Sequence, residues 1–347
     1  MSASGAGTAS LVVALPAPYL LFLGDVTDPG YAKTAFGLRD WARELCVGEF
    51  ASAGGSVSAG LPRMTPREAA ARGARSLVIG IANTGGVLKA EWIPSLLDGL
   101  EAGLDIVSGM HVKLGASREL AAAAERLSRR LIDVRQPPPN IPVATGRKRT
   151  GKRLLAVGTD CALGKKYTAL AITGAFRRRG VDAEFRATGQ TGIMIAGSGM
   201  PIDAVVSDFV AGAAEILSPD AAPDHWDVIE GQGSLFHPAY AGVSLGLLHG
   251  SQPDVIVLCH EPGRMHLLGY PDFPTPSLRD AIALHVRMGA LTNPKIRCAG
   301  VSFNTSAQSP SVAAALMHGA SEELGLPVAD PMRGGPAFDR LVESCLA

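Results

Sequence analysis

GTDCALGKKYT, residues Gly158 to Thr168, is the stretch that decides how this sequence is interpreted. It follows the apolar run LLAV, residues 154–157, and leads into a segment of helical composition. Its two glycines let backbone amides turn towards an anion, and the N-terminus of the following helix adds positive potential. Lys165 occupies the place of the lysine that reaches the phosphates in a P-loop. The pattern predicts a phosphate cradle between a strand and a helix.

Two features of this loop differ from the usual P-loop. Five residues separate Gly158 from Gly164, whereas GxxxxGK[ST] has four; the spacing resembles GTDxxxGK in dethiobiotin synthetase and its relatives. Lys166 replaces the hydroxyl residue that normally binds Mg²⁺, and an ammonium group cannot ligate a cation. The loop therefore favours a phosphate-bearing carrier that is bound without being cleaved at phosphorus, and a ligand-free glycine turn is the alternative. The predicted cofactor-binding residues are Gly158, Thr159, Asp160, Gly164, Lys165, Lys166, Tyr167 and Thr168.

Composition limits the class of protein. The 347 residues suffice for two domains, and 47% hydrophobic with 18% charged residues is typical of a globular chain. The 32 basic residues balance the 32 acidic ones, so no global field favours nucleic acid or a membrane, and neither is an expected partner. Five widely spaced cysteines without metal-site spacing predict reduced thiols, a cytoplasmic location and no metal. Pro16 and Pro18 interrupt the first apolar run, which predicts a leader into a strand instead of a signal peptide.

Strand-length apolar runs alternate with helix-period segments through both halves of the chain, which predicts α/β domains with parallel sheets. The proline-rich stretch DVRQPPPNIPVATGRKRTGKR marks the expected boundary. We predict an N-terminal Rossmann-like parallel-sheet domain over residues 1–140 and a C-terminal P-loop NTPase-like α/β domain over residues 141–347. The basic residues between Arg147 and Arg153 are interpreted as a solvated linker, and a phosphate contact from one of them is the alternative. The first-half helix from Lys33 is predicted to reach Cys46, and residues 187–209 are predicted as a long loop that enters a helix.

Polar residues follow several predicted strands of the second half, where open α/β sheets bind their ligands. Glu230 in IEGQGS is interpreted as a general base, a metal ligand, an orienter of a substrate amine or a helix cap. His237 in HPAYAG is a second candidate base or a structural histidine. Arg264 in CHEPGR is placed to clamp a substrate carboxylate or to pair with a surface acid.

Further candidates lie in glycine-rich segments. In the loop ATGQTGIMIAG, Gln190 and Thr191 are predicted to contact a ligand, and Asp203 beyond it is a cap or a site residue. In the first half, three segments follow strands, so their polar residues are expected to gather at the carboxyl edge of the first sheet. Turn geometry is the alternative for the glycines, and a structural role is the alternative for the histidine. These first-half candidates are Lys33, Thr34, Asn83, Gly85, Gly86 and His111.

The chain as a whole resembles the D-glutamate N-acetyltransferase (DgcN-like) family over roughly residues 19–340. The resemblance rests on GDVTD with AKTAFGL and CVGEF, on IANTGG, AGLDIVSGMH and DVRQP, and more specifically on VGTDCALGKKYTA, ATGQTGIMIAG, DAVVSDFVAGAAE and EGQGSLFHPAY. It implies transfer of acetyl from acetyl-CoA to the amine of D-glutamate, in D-amino acid catabolism with a partner racemase. Around His111 and at Glu49 the sequence departs from the family pattern, which leaves substrate preference open.

The roles of single residues in this reaction are hypotheses from position in the sequence. Glu230 and His237 are the candidate catalytic bases with Lys166 beside them, and loop amides with Lys165 or Lys166 are expected to hold the phosphates of CoA. The predicted substrate-binding residues are Gln190, Thr191, Asp203, Arg264, Lys33 and His111. A homo-oligomer is expected. One alternative is an ATP- and Mg²⁺-dependent ligase or carboxylase of the dethiobiotin synthetase kind, and another is a nucleotide-sensing module without turnover.

Overall fold

The structure, a computed structural model, describes residues 15–82 and 86–347. Contacts between Cα atoms divide the chain into two compact units. Unit 1 comprises Met1–Pro137 together with Gln190–Pro201, and unit 2 comprises Pro138–Gly189 together with Ile202–Ala347. The contacts thus change unit between Pro137 and Pro138, and a short segment from the second half belongs to unit 1. The predicted site residues Asn83 and Gly85 and the leader before Leu15 lie outside the described residues.

Unit 1 is built on a five-stranded parallel sheet in the order β2-β1-β3-β4-β5. Its strands are β1 Tyr19–Phe22, β2 Cys46–Phe50, β3 Ser76–Ile79, β4 Asp105–Ser108 and β5 Leu131–Asp133. Its helices are α1 Lys33–Trp41, α2 Pro66–Ala71, α3 Ile93–Glu101 and α4 Arg118–Leu127. The apolar runs of β1, β3 and β4 are buried throughout, as strands covered on both faces require. Strand order reverses between β1 and β3, where such sheets place a ligand crevice.

Strand β2 corrects the prediction that the helix from Lys33 reaches Cys46. The helix ends at Trp41, and CVGEF pairs in parallel with β1. Glu49, buried in this strand, accepts the backbone amides of Ala59 and Leu61 at 2.7 and 3.3 Å. Gly48 and Glu49 have low strand propensity, so the local sequence does not indicate a strand here. Pairing with β1, together with the hydrogen bonds from Ala59 and Leu61 to the buried carboxylate, determines the conformation.

The second-half segment in unit 1 contains a further helix, α6 Gln190–Ala196, where the sequence predicted a loop. Here the prediction is wrong because the Gly- and Thr-rich composition hides the long-range contacts of the helix. The hydroxyls of Thr191 and Thr34 are 3.0 Å apart, and α6 packs against α1. Gln190 lies over Gly109, where a Cβ atom would come within 2.8 Å of its side chain.

Unit 2 contains a six-stranded sheet in the order β13-β12-β9-β6-β8-β7, in which every pair is parallel. Its strands are β6 Lys152–Gly158, β7 Ala183–Arg186, β8 Trp226–Ile229, β9 Val255–His260, β12 Arg297–Phe303 and β13 Val328–Ala329. A separate antiparallel hairpin pairs β10 His266–Leu267 with β11 Tyr270–Pro274. The helices are α5 Lys165–Arg178, α7 Val210–Leu217, α8 Ala241–Ser251, α9 Leu278–Gly289, α10 Pro310–Leu324 and α11 Gly335–Leu346.

The parallel sheets of both units confirm the predicted α/β class. Strand β6 lies in the interior of its sheet between β8 and β9, and GTDCALGKKYT connects its carboxyl end to α5. None of the helices among the described residues combines the length and the apolar character that a membrane crossing requires. All five cysteines are free thiols.

The basic run that begins unit 2 is not a solvated linker at two of its positions. Arg153 is fully buried and Arg149 is 6% exposed. Arg149 donates to the carbonyls of Ser218 and Gly250 at 2.6 and 2.7 Å, and Arg153 donates to Ser218 Oγ at 2.7 Å and to the carbonyl of Pro219 at 2.9 Å. Five guanidinium donors suit such a group of carbonyls. A charge run read locally does not reveal these acceptors, which lie 65 or more residues away.

Gly231 allows strand β8 to end against strand β6. A Cβ atom at this position would lie 1.7 Å from the carbonyl oxygen of Ala156 and 3.2 Å from Lys165 Cδ. Because the first of these contacts is with backbone, a side chain can be accommodated only if a strand moves. The position of the phosphate loop therefore depends on a residue without a side chain.

We predict that Gly231→Ala lowers the free energy of unfolding by about 1–3 kcal/mol, the usual cost of overpacking. Urea denaturation of both proteins measures the difference. Gly242→Ala in α8 is the matched control, because a Cβ atom there meets nothing within 4 Å and alanine favours a helix by about 0.5–1 kcal/mol. Equal stability of the two variants would contradict the close approach of β8 to β6.

Candidate active site

The phosphate loop ends at an open helix N-terminus. Gly164 has a left-handed φ of 95° and precedes α5 without a side-chain cap. The amide of Thr168 bonds to the carbonyl of Gly164 at 2.9 Å, whereas the first amides of a helix lack partners within it. Ala162 also has a positive φ, 54°, which is uncommon for a residue with a side chain. The backbone is thus bent so that the start of α5 is available to an anion.

The two lysines of the loop have different surroundings. Lys165 is 7% exposed, and its Nζ donates to the carbonyl of Asp160 at 2.7 Å. Burial lowers the pKa of Lys165, and the neighbouring thiols and carboxylates act in the opposite direction. Lys166 is half-buried with its Nζ 4.9 Å from the ring centre of Tyr167. Both positions agree with phosphate binding, which stays a prediction for each.

The carboxylate of Asp160 joins the loop to the segment that follows β9. It is fully buried and accepts Cys161 N at 2.6 Å on Oδ1. On Oδ2 it accepts Arg264 Nη1 and Leu268 N, both at 2.8 Å. Arg264 also pairs with Glu261. The arginine thus already contacts two acids, and its predicted grip on a substrate carboxylate would require it to change partners.

Two threonines of the predicted cofactor set have hydroxyls engaged within unit 2. Thr159 Oγ1 lies 3.0 Å from Nδ1 of His260, whose pKa burial lowers to about 4. Thr168 Oγ1 lies 2.7 Å from Ser302 Oγ on β12. The structure therefore gives Thr168 a contact in the core between helix and sheet, and its role in cofactor binding stays a prediction. His260 was missed because its approach to the loop requires β9 to pair beside β6.

Glu230 follows β8 and is 6% exposed. Its Oε2 accepts the amides of Thr188 and Gly189 at 3.0 and 3.1 Å, whereas Oε1 makes no hydrogen bond to the described residues. Burial raises the pKa of Glu230, and Lys166 together with the two amides opposes that rise. A carboxylate with a raised pKa and one oxygen without a donor has the chemistry of a general base. Gln232, whose amide bonds to Thr188 at 2.9 Å, was not predicted.

His237 is 1% exposed between two tyrosines. Its ring stacks on Tyr240 with centroids 4.5 Å apart and meets the edge of Tyr270 at 4.8 Å. Its Nδ1 accepts the amide of Ala239 at 3.2 Å, so in the neutral ring the proton is on Nε2. In this tautomer Nε2 is a donor, so the geometry suits stabilisation of negative charge better than the predicted role of base.

Potential metal ligands also approach one another in unit 2. Asp160, Cys161 and His237 each offer an atom within 4.8 Å of those of the other two, and so do Glu184, His225 and Asp227. The second group is bridged by Arg186, which bonds to Glu184 at 2.9 Å and to Asp227 at 2.6 Å. A fixed guanidinium at that place supplies the positive charge that a metal ion would bring.

Unit 1 has its own group of predicted residues at the carboxyl edge of its sheet. Arg135, which was not predicted, donates to Gln190 Oε1 at 2.7 Å, and its Nη1 lies 2.6 Å from His111 Nε2. Thr191 contacts Thr34, Gly86 packs against His111, and Lys33 is exposed at the start of α1. Asp203, in contrast, is an exposed residue of a short 3₁₀ turn in unit 2, and its charge acts on Glu230.

Comparison with known proteins finds matches over both units. A domain of unknown function described as a P-loop domain (DUF1611_C) matches residues 142–342, and a Rossmann-like companion (DUF1611_N) matches residues 46–137. A D-glutamate N-acetyltransferase of Pseudoalteromonas sp is 49% identical over 92% of this chain and 96% of its own. One from Tritonibacter scottomollicae is 48% identical over 95% and 98%. The chain belongs to the D-glutamate N-acetyltransferase family. As a member of it, the protein is an N-acetyltransferase.

A solved structure shows the same architecture in this family. The crystal structure of a DUF1611 family protein from Anabaena variabilis aligns with a TM-score of 0.85 and 31% sequence identity. The alignment covers 95% of this chain and 99% of that one. Family membership and fold, both expected from the sequence motifs, are confirmed, whereas the roles of single residues stay predictions.

We predict that Glu230→Gln becomes more stable relative to the parent as pH rises from 4.5, the ordinary pKa of the carboxyl, through the raised pKa of Glu230. The folded carboxyl has a pKa above its ordinary value of 4.5, so the folded state binds more protons and the parent loses free energy of unfolding through that window. The glutamine has no such titration. Urea denaturation across the pH range measures the effect, and Glu119→Gln on the exposed face of α4 is the control. A constant difference between parent and Glu230→Gln would show that the buried carboxylate is not perturbed.

Proposed function

We propose that this protein transfers the acetyl group of acetyl-CoA to the amine of D-glutamate and forms N-acetyl-D-glutamate in D-amino acid catabolism. The observation that carries the proposal is the near full-length similarity, at 48–49% identity, to two D-glutamate N-acetyltransferases. Acetyl-CoA as donor, D-glutamate as acceptor and the catabolic role are all part of the proposal. So are a homo-oligomeric state and a cytoplasmic location.

The phosphate loop supports CoA as the carrier. The uncapped start of α5 offers amide donors to a phosphate, and Lys165 and Lys166 add two charges beside them. CoA carries a pyrophosphate and a 3′-phosphate, which such a loop holds without breaking a bond to phosphorus. By holding the phosphates, the loop fixes the position of CoA, so that its thioester is presented to the acceptor in one place. This contributes to catalysis by positioning the reactants.

Glu230 supports the second half of the reaction. An ammonium group must lose a proton before it attacks a thioester, and a carboxylate with a raised pKa is a stronger acceptor for that proton. Oε1 of Glu230 makes no hydrogen bond to the described residues, and the charges of Lys166 and Asp203 act on this carboxyl in opposite directions. The two amides on Oε2 fix the orientation of the carboxylate, so the base is held in one place while the amine approaches.

The alternative, an ATP- and Mg²⁺-dependent ligase, requires a cation ligand in the same loop. Lys166 occupies the position of the usual hydroxyl, and both oxygens of Asp160 already accept hydrogen bonds. Neither residue is thereby suited to Mg²⁺. Calorimetry decides between the two, since the ligase would bind Mg·ATP tightly and would not bind acetyl-CoA.

We predict that the protein releases CoA thiol from acetyl-CoA in the presence of D-glutamate, and that Glu230→Gln lowers kcat by about 10²–10⁴-fold, the share of a general base. The assay uses a panel of D- and L-amino acids at several pH values. Because the base must be deprotonated, kcat of the parent falls as pH drops through the raised pKa of Glu230. Release of thiol with none of the amino acids would contradict the proposed function, and full activity of Glu230→Gln would contradict only its role.

We predict that binding experiments distinguish which phosphate of acetyl-CoA each of the two lysines contacts. If Lys166 contacts the 3′-phosphate, Lys166→Ala weakens acetyl-CoA binding by about tenfold, as loss of one charge-assisted hydrogen bond implies, and leaves affinity for 3′-dephospho-acetyl-CoA unchanged. Lys165→Ala weakens both ligands because it acts on the pyrophosphate. Calorimetry measures the four affinities, with the exposed Lys295→Ala as control. If each variant lost the same affinity for acetyl-CoA as for its 3′-dephospho form, Lys166 would not contact the 3′-phosphate.

A further inference from the structure

Cys161 lies on the phosphate loop beside two groups that suit acyl transfer. Its sulfur, a ring nitrogen of His237 and a carboxylate oxygen of Asp160 are all within 4.8 Å of one another. Cys161 is half-buried, whereas the other two residues are buried. The remaining four cysteines lie in β2, β9, β12 and α11. Cys259 also contacts the loop, at Thr168, but it is fully buried, so Cys161 is the half-buried cysteine beside the loop and a histidine.

Two cations act on this sulfur. Lys165 donates to the carbonyl of Asp160 at 2.7 Å, and Arg264 donates to the carbonyl of Cys161 itself at 2.8 Å. Burial raises the pKa of the Cys161 thiol and the Asp160 carboxylate adds to that rise, whereas Lys165 and Arg264 act against it. A thiolate that forms during reaction thus has two cations close to it.

The same charges disfavour a metal ion between Asp160, Cys161 and His237. Both oxygens of Asp160 accept hydrogen bonds from fixed donors, namely Cys161 N, Arg264 and Leu268 N. A divalent cation would displace them while it lies beside an ammonium and a guanidinium group. The chemistry of this cluster is that of a thiol with donors around it.

A donor for a developing oxyanion is also present. In the neutral tautomer fixed by Ala239, His237 carries its proton on Nε2. A donor fixed before reaction is the usual stabiliser of a tetrahedral intermediate in acyl transfer.

We infer that Cys161 is the nucleophile that takes the acetyl group from the donor thioester and then passes it to the amine. The inference deepens the proposed function and rests on it for the identities of donor and acceptor. The competing mechanism is direct attack of the amine on acetyl-CoA while both substrates are bound. The two mechanisms differ in whether CoA is released before the amine arrives.

The two steps balance as follows. Cys161 sulfur forms a bond to the acetyl carbonyl carbon, the bond from that carbon to the CoA sulfur breaks, and the proton of the Cys161 thiol leaves with CoA as its thiol. The neutral amine nitrogen then attacks the acetyl-enzyme, the bond from carbon to Cys161 sulfur breaks, and one amine proton returns to that sulfur. The proton that the ammonium form loses beforehand goes to Glu230 and then to solvent. No oxidant or reductant takes part.

The test uses the full chain with acetyl-CoA labelled in the acetyl group and with no amine added. We expect a burst of CoA thiol stoichiometric with protein, label on the peptide that contains Cys161, and release of that label by hydroxylamine or by D-glutamate. Initial rates with both substrates varied should give parallel double-reciprocal lines. This half-reaction needs no variant and so does not depend on how a variant folds.

Variants locate the acetyl group. Cys161→Ala and Cys161→Ser are expected to lose the label and to lower turnover on the order of 10³-fold or more, the scale of removing a nucleophile. Cys46→Ala removes a different half-buried thiol, which lies in unit 1. This variant is expected to keep both the label and the turnover. Circular dichroism and acetyl-CoA binding confirm that the Cys161 variants are folded. A folded Cys161→Ala protein that keeps a tenth or more of the turnover would overturn the inference.

The outcomes separate the inference from the proposed function. Turnover of D-glutamate by an unlabelled parent protein overturns the inference and leaves the function standing. Label on Cys161 without turnover of D-glutamate supports the nucleophile and contradicts the acceptor. Neither label nor turnover contradicts both. Activity that a chelator removes and zinc restores would show that Asp160, Cys161 and His237 bind a metal, which also overturns the inference.

Discussion

The buried carboxylate of Asp160 is the contact on which the geometry of the P-loop unit depends. It accepts the guanidinium of Arg264 and the amide of Leu268, and so joins the loop after β6 to the segment before β10 and to the turn of the β10–β11 hairpin. Its own carbonyl receives Lys165. Loss of one partner from a buried ion pair costs about 3–5 kcal/mol, since the remaining charge stays buried. One residue thus orders the cation of the loop, the arginine and the hairpin together.

That arrangement explains why the loop is predictable from sequence whereas its surroundings are not. The cradle follows from local rules, because glycine, lysine and a preceding apolar strand specify a turn into an open helix N-terminus. The contact between Arg264 and Asp160 joins residues 104 positions apart. Only the strand order, with β9 paired beside β6, brings them together. Sequence reasoning found both residues and left the arginine to a substrate carboxylate or a surface acid, and the structure pairs it with the buried Asp160 and with Glu261.

The same division holds for the fold. Apolar runs such as YLLF and SLVI identify their strands directly because burial on both faces demands hydrophobic side chains. CVGEF and QTGIMIA escaped because their conformations depend on distant partners, β1 for the strand and α1 for the helix. Arg149 and Arg153 were interpreted as solvated for the same reason, since the Ser218 and Gly250 groups that accept from them lie at the ends of α7 and α8. Local composition indicates which conformation a segment prefers, but it does not identify the distant groups that accept hydrogen bonds from these arginines.

The membership of α6 in unit 1 has a consequence for how the chain is made. Unit 1 takes its last helix from residues 190–201, which are translated after strands β6 and β7 of the other unit. Domains usually fold as units while synthesis proceeds, N-terminal first. Here the ribosome must synthesise the chain as far as Pro201 before all residues of the N-terminal unit are present. A fragment that stops at Pro137 lacks the contact partners of Thr34, Gly109 and Arg135. The N-terminal unit can therefore be completed only after part of the second unit has been synthesised.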